Sequence, residues 1–176
     1  MTPARNDVLI ALGANIGDRA GTLVGAVARL AQWIDGLVPS RLYETAPRYV
    51  EDQPVFLNMA VRGRTTLSPH ELLDLAMTIE QALGRVRSVR YGPRQIDIDI
   101  VYYGALQVAT PRLAIPHPLR AERRFVLAPL ADIAPDRVDP VTGRSIREML
   151  DALPPDDDCR PVGTLEEIAG SRRVFS

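Results

Sequence analysis

Residues 8–12, Val-Leu-Ile-Ala-Leu, form an unbroken apolar run that stops at Gly13 and predicts a buried strand. Residues 13–18 read as a turn whose Asp18 caps a helix, with Leu23, Val27, Leu30 and Ile34 on one face and Gly36 as its stop. Residues 40–45 and 55–61 predict two further strands, joined by a long polar loop over residues 46–54. Ser68-Pro69-His70-Glu71 is a helix start with a capping residue, an N1 proline and a Glu three residues after the cap. Leu72, Ala76, Ile79 and Leu83 make the buried stripe of that helix, and Gly84 ends it. Residues 96–103 predict the fourth strand, and period-two alternation puts Ile96, Ile98 and Ile100 on one face and Asp97 and Asp99 on the other. Residues 125–133 and 145–153 read as short helices, and the chain from Pro154 onward as a partly loose tail. The order β-α-β-β-α-β predicts an α/β (α+β) fold of the split-βαβ or ferredoxin-like type. That plan is an antiparallel sheet with helices on one side, here with a helical C-terminal extension. Residues 1–153 are expected to form one domain and residues 154–176 its tail.

Composition narrows the possibilities. At 176 residues, 46% hydrophobic and 24% charged, the chain is ordinary for a soluble globular protein. A net charge of −1 gives no global basic field for long nucleic acid. All 21 basic residues are arginine, so no lysine is present to form a Schiff base or serve as a Walker-type phosphate ligand. Cys159 is the only cysteine, which excludes an internal disulfide framework; its acidic neighbours suggest an inert surface thiol. Residues 8–14 read as a strand rather than a signal peptide, and no apolar run approaches the ~18 residues of a membrane span. The expectation is a cytoplasmic protein.

The most informative stretch is Tyr91-Gly92-Pro93-Arg94-Gln95-Ile96-Asp97-Ile98-Asp99-Ile100. The Asp97 and Asp99 Cα atoms should lie roughly 6.5–7 Å apart on one strand face. Their carboxylates repel unless something cationic sits between them. Divalent metal ions and the neighbouring Arg85, Arg87, Arg90 and Arg94 are the candidates. Carboxylates with arginines are the equipment for holding a polyphosphate through Mg²⁺, although an acidic pair can also be a sheet's solvent face. A second basic stretch spans residues 120–124. His117, between two prolines, suits a phosphate or sugar contact as well as a structural role, whereas His70 in a first helical turn reads as solvated. Phe56 and Phe125 suit stacking on a flat heterocycle or a place in the core, with Asn58 on the strand face of Phe56 as a polar edge. The turn at residues 13–17 has neither dinucleotide nor Walker spacing.

Taken together, these residues resemble a known family, the 6-hydroxymethyl-7,8-dihydropterin pyrophosphokinases of folate biosynthesis. The matching pieces are Ile10-Ala11-Leu12-Gly13-Ala14-Asn15, Tyr43-Glu44-Thr45-Ala46-Pro47, Asp52-Gln53-Pro54-Val55-Phe56-Leu57-Asn58 and Gly84-Arg85-Val86-Arg87. Arg90-Tyr91-Gly92-Pro93-Arg94 running into Asp97-Ile98-Asp99-Ile100 is the most specific; Ile115-Pro116-His117 and Arg123-Arg124-Phe125 follow. The resemblance implies ATP as co-substrate, two Mg²⁺ ions on Asp97 and Asp99, and pyrophosphate transfer to a pterin hydroxymethyl group. It implies that Arg85 and Arg94 act beside those carboxylates in catalysis. Glu80, Arg87, Arg90, Ile100, His117 and Arg123 would bind ATP, and Thr45, Ala46, Phe56, Asn58, Tyr91 and Phe125 the pterin. Partners would be small molecules, with no nucleic acid, no membrane and a monomeric protein. Departures from the familiar pattern are Ala46, Arg48, Phe56, Met77 and Tyr91, and the tail has no counterpart. An RNA-binding module on the same fold and a metal-dependent phosphohydrolase are the rival readings.

Overall fold

A computed structural model describes residues 3–46, 55–84, 95–156, 158–168 and 170. In chain order the elements are β1 (Asn6–Ala14), α1 (Arg19–Leu30), β2 (Asp35–Pro39), β3 (Leu42–Thr45), β4 (Phe56–Thr65), α2 (Pro69–Ala82) and β5 (Asp97–Tyr103). They continue with β6 (Val108–Ala109), β7 (Ala114–Ile115), α3 (Arg124–Ile133), α4 (Ile146–Asp151) and β8 (Cys159–Gly163). The main sheet runs β5-β1-β4-β3-β8, with β2 also paired to β4, and its strand pairs are antiparallel. β6 and β7 form a separate small hairpin.

Local chemistry explains the helix starts. The Asp18 side chain accepts from the Gly21 N–H at 3.2 Å. At α2, Ser68 Oγ accepts from the Glu71 N–H while Glu71 Oε1 accepts from the Ser68 N–H, a complete capping box with Pro69 in the first turn. Gly84, just beyond the end of α2, has a φ of 87°, the left-handed conformation that stops a helix cheaply. Gly36 does not play that part. α1 ends at Leu30, and Gly36 (φ 60°) lies inside β2, where the register against β4 shifts between Asp35 and Val38. Of the strand expected over residues 40–45, Leu42–Thr45 form β3; Ser40 and Arg41 connect it to β2, and Ser40 Oγ accepts from the Ala60 N–H at 2.8 Å.

The sheet is covered on both faces rather than one. On the first face, Leu23, Ala26 and Leu30 of α1 and Leu72, Ala76 and Ile79 of α2 pack on Val8, Ile10, Leu12, Ile98 and Ile100. On the second, Val126, Leu127 and Leu130 of α3 and Ile146 and Met149 of α4 pack on Leu9, Ala60, Val101 and Tyr102. Two-sided burial is what an unbroken apolar run such as residues 8–12 requires. The β1–β5 register shifts between Leu9 and Ile10, so Val101 and Tyr102 both join the second face and Tyr103 returns to the first. The tail is not loose throughout: β8 adds an edge strand to β3, with Cys159 opposite Thr45, and Leu165 and Ile168 pack on the first core.

Candidate functional site

Gly13, near the end of β1, sits between two polar side chains on the second face. Its register partners are Asn58 on β4 and Asp97 on β5. With strands ~4.8 Å apart, the Asn58 and Asp97 Cα atoms are roughly 9–10 Å apart across the glycine. A Cβ on Gly13 would lie 2.5 Å from Asn58 Oδ1, so only glycine leaves the amide its place. Asn58 is 6% exposed and donates from Nδ2 to Thr45 Oγ1 at 2.6 Å. Phe56 lies two residues before Asn58 on the same strand face, opposite Thr45. Phe125, in the first turn of α3, packs on the second core, and the Arg123 guanidinium lies 5.5 Å from its ring centroid. Asp99 follows Asp97 on this face, both half-buried. The result is a carboxylate pair beside a narrow polar floor with an aromatic ring from β4 and another from α3.

Among the described residues β5 is an outer strand of the sheet, and His117 borders this site along it. Its N–H donates to the Val101 carbonyl at 3.1 Å, and its Nδ1 accepts from the Leu119 N–H at 3.2 Å. Acceptance at Nδ1 leaves Nε2 as the protonated nitrogen of a neutral ring. Burial, then the Arg123 charge, pull the His117 pKa below its ordinary value; Asp97 opposes the shift and Arg120 adds to it. The imidazole is therefore a neutral donor near neutral pH. Asp97 and Asp99 supply hard oxygen ligands. Among the described residues no group of three or more His, Cys, Asp or Glu side chains is placed to hold a metal. Such a pair suits Mg²⁺, which keeps several waters and takes phosphate oxygens alongside one or two carboxylates.

The profile described as 7,8-dihydro-6-hydroxymethylpterin-pyrophosphokinase (HPPK) matches residues 9–135, the span that builds this site. The chain belongs to the HPPK family. A 2-amino-4-hydroxy-6-hydroxymethyldihydropteridine pyrophosphokinase of Methylorubrum extorquens is 49% identical over 83% of this chain and 92% of its own length. The enzyme of that name from Bacillus subtilis is 52% identical over 73% of this chain and 78% of its own. The mitochondrial folate synthesis bifunctional protein of Arabidopsis thaliana is 48% identical over 76% of this chain, which spans only 24% of it. Among solved structures, an HPPK-DHPS in complex with substrates superposes with a TM-score of 0.69 at 16% identity, over 86% of this chain and 43% of that one. A Plasmodium falciparum HPPK-DHPS triple mutant gives 0.68 at 17% identity, over 85% and 44%. At such identities the structures show the fold alone.

Against the HPPK pattern, the structure brings Thr45, Phe56, Asn58, Asp97, Asp99, His117, Arg123 and Phe125 to one end of the second face or its β5 edge. Ala46 directly follows Thr45 at the end of β3. Glu80, 4% exposed, lies on α2, whose apolar residues pack on the Ile98 and Ile100 side of the sheet. The Ile100 side chain is spent in the first core, which leaves only its backbone for a ligand. Arg85, Arg87, Arg90, Tyr91, Arg94 and Arg48 lie outside the described residues. His70 is bonded to Thr110 Oγ1 at 3.1 Å rather than simply solvated. Met77 Sδ lies 3.9 Å from the Arg112 guanidinium, which also pairs with Asp74 at 2.6 Å. Cys159 is half-buried in β8, and burial ahead of nearby Asp156 pushes its thiol up to about 11. Among the described residues no helix is long and apolar enough to cross a membrane.

Sequence reasoning missed Gly13 as part of the floor, because nothing local pairs it with Asn58 and Asp97. It named Arg120 only within a basic stretch and passed over Tyr102 and Asp139. The Asp139-Pro140-Val141-Thr142-Gly143 string was the available signal: Asp139 Oδ1 accepts from the Val141 and Thr142 N–H groups at 2.8 and 3.0 Å, an Asp-led turn legible in sequence.

Proposed function

We propose that this chain transfers the pyrophosphoryl group of ATP to the hydroxymethyl group of 6-hydroxymethyl-7,8-dihydropterin, releasing AMP, in folate biosynthesis. The observation that carries the reading is the Asp97–Asp99 pair set beside the Gly13–Asn58–Thr45 floor, in a chain of the HPPK family. The strand order supports the ferredoxin-like βαββαβ plan for residues 1–153, with β2 and β3 together as its second strand. The substrates are small molecules, and the protein is proposed to act as a cytoplasmic monomer.

The floor is built for a flat, polar heterocycle. Asn58 and Thr45 offer hydrogen bonds to its edge, and Phe56 and Phe125 offer faces for stacking. Asp97, which shares the Gly13 rung with Asn58, lies next to that slot, where it orients the acceptor hydroxyl toward the polyphosphate. Asp97 and Asp99 are the residues that would hold two Mg²⁺ ions, which supply charge neutralisation for the attacking and leaving oxygens when bound. Arg123 offers a fork for phosphate oxygens, and His117 donates from Nε2 to an oxygen of the nucleotide. Arg85, Arg87, Arg90, Arg94 and Tyr91, from the basic loop, are proposed as further phosphate and pterin contacts; Glu80 and the Ile100 backbone are proposed on the nucleotide side. Phosphoryl-type transfer needs alignment and charge balance more than covalent help, and these residues supply both.

The test is AMP formation from ATP and Mg²⁺ with and without the reduced pterin alcohol. AMP and the pterin diphosphate should appear together, and only when both substrates are present. Release of inorganic phosphate from ATP without the pterin would refute the transferase reading. Asp97→Ala and Asp99→Ala should each reduce turnover more than tenfold with the fold intact. Retention of more than a tenth of the activity would remove that residue from the metal site.

A further inference from the structure

Asp139, fully buried, joins three segments that are distant in sequence. Its Oδ2 accepts from Arg120 Nε at 2.6 Å and from the Tyr102 hydroxyl at 2.5 Å. Its Oδ1 accepts from Arg120 NH2 at 2.9 Å as well as from the turn at Val141 and Thr142. Tyr102 is fully buried and Arg120 is 6% exposed. The remaining Arg120 donor, NH1, reaches the His117 carbonyl at 2.9 Å, and the Arg120 N–H meets the same oxygen at 3.2 Å. The His117 N–H in turn binds the carbonyl of Val101, the residue before Tyr102. The bonds thus close a ring from β5 through Asp139 and Arg120 to His117 and back to β5.

A buried ion pair is a poor device for stability alone, because an apolar set of similar volume usually serves as well or better. What it adds is direction, since every bond here has a fixed donor and acceptor. We propose that Arg120 and Asp139, braced by Tyr102, are positioning residues for the nucleotide half of the site: they hold His117 in register so that its ring stays the Nε2–H tautomer and presents one donor to ATP. The charged groups facing that ring are Arg123, Asp97 and Arg120. The proposal rests on the reading of His117 as a nucleotide contact and extends it to residues that lie behind it.

The test pairs Arg120→Met with Asp139→Asn in the full chain. Asparagine keeps an acceptor for the Val141 and Thr142 N–H groups, and the double replacement leaves no unpaired buried charge. Arg120→Gln with Asp139→Asn, which keeps polar groups at both positions, is the second variant, should the first double variant fold poorly. The ring nitrogens of His117 are read by NMR on ¹⁵N-labelled protein, with His70→Gln to assign the two histidines. Wild type should show a protonated Nε2 and an unprotonated Nδ1. The variant should show mixed tautomers and a titration midpoint moved upward. In steady state the KM for ATP should rise about tenfold while the pterin KM stays within twofold. An unchanged His117 spectrum in a folded variant would overturn the proposal, as would equal changes in both KM values or an unchanged KM for ATP. A wild-type protein lacking pyrophosphoryl transfer would instead overturn the proposed function, with the spectrum still deciding whether Arg120 and Asp139 position the ring.

Discussion

Replacing Gly13 by alanine should damage the proposed pterin side of the site through one side chain, Asn58. The added Cβ would lie 2.5 Å from Asn58 Oδ1, closer than carbon and oxygen tolerate. Asn58 must then leave its rotamer, at ~0.5–1.5 kcal/mol. It also gives up the 2.6 Å bond to Thr45 in surroundings where both residues are buried, at ~1–3 kcal/mol. Alanine in a strand recovers ~0.5–1 kcal/mol relative to glycine. The net loss is about 0.5–4 kcal/mol, a melting drop of roughly 1–16 °C at about 2–4 °C per kcal/mol for a chain of this size. Calorimetry gives the first number, and the pterin KM, expected to rise with the KM for ATP little changed, gives the second. The decisive control repeats Gly13→Ala in an Asn58→Ala background, where the clash has no partner and the substitution should be neutral or slightly stabilising. If Gly13→Ala costs as much without the Asn58 side chain as with it, or leaves both melting temperature and pterin KM untouched, the floor is not built as described.

Phe125→Ala should raise the pterin KM by an amount equivalent to ~1–3 kcal/mol and lower the melting temperature only modestly; a large melting drop with an unchanged KM would make Phe125 a core residue. The His117 pKa is lower folded than unfolded, so below about pH 6.5 the unfolded chain binds more protons and stability falls with acidification, by at most ~1.4 kcal/mol per pH unit, until the folded ring also protonates. His117→Asn should flatten that part of the pH–stability curve, and identical curves would refute the burial argument. Cys159 is raised to about 11, so it should label with iodoacetamide far more slowly in the native protein at pH 8 than in urea, and stability should fall as pH rises from about 9 toward 11; equal labelling rates would mean that β8 is not seated on β3.

Much of this protein is local in origin and was legible in its sequence. The α2 capping box, the Asp18 cap, the Gly84 stop and the placement of Asp97 and Asp99 on one strand face follow from neighbours within four residues, and the structure repeats them. The family-specific strings around Thr45, Asn58, Asp97 and His117 marked the candidate site proposed above, whose roles await the tests given there. Tertiary structure decided whatever depends on partners distant in the chain. Two-sided coverage of the sheet needed α3 and α4 to cross to the second face, and β8 needed the exposed edge of β3. The bulge at Val101 sent Tyr102 to the second face against strict alternation, a choice made by its pairing with β1 and not by its own side chain. Gly13 matters because of Asn58, and Arg120 because of Asp139; each pair becomes a contact only when the chain closes, since the excluded volume of one strand and the hydrogen-bond demand of a buried charge have no trace in local spacing.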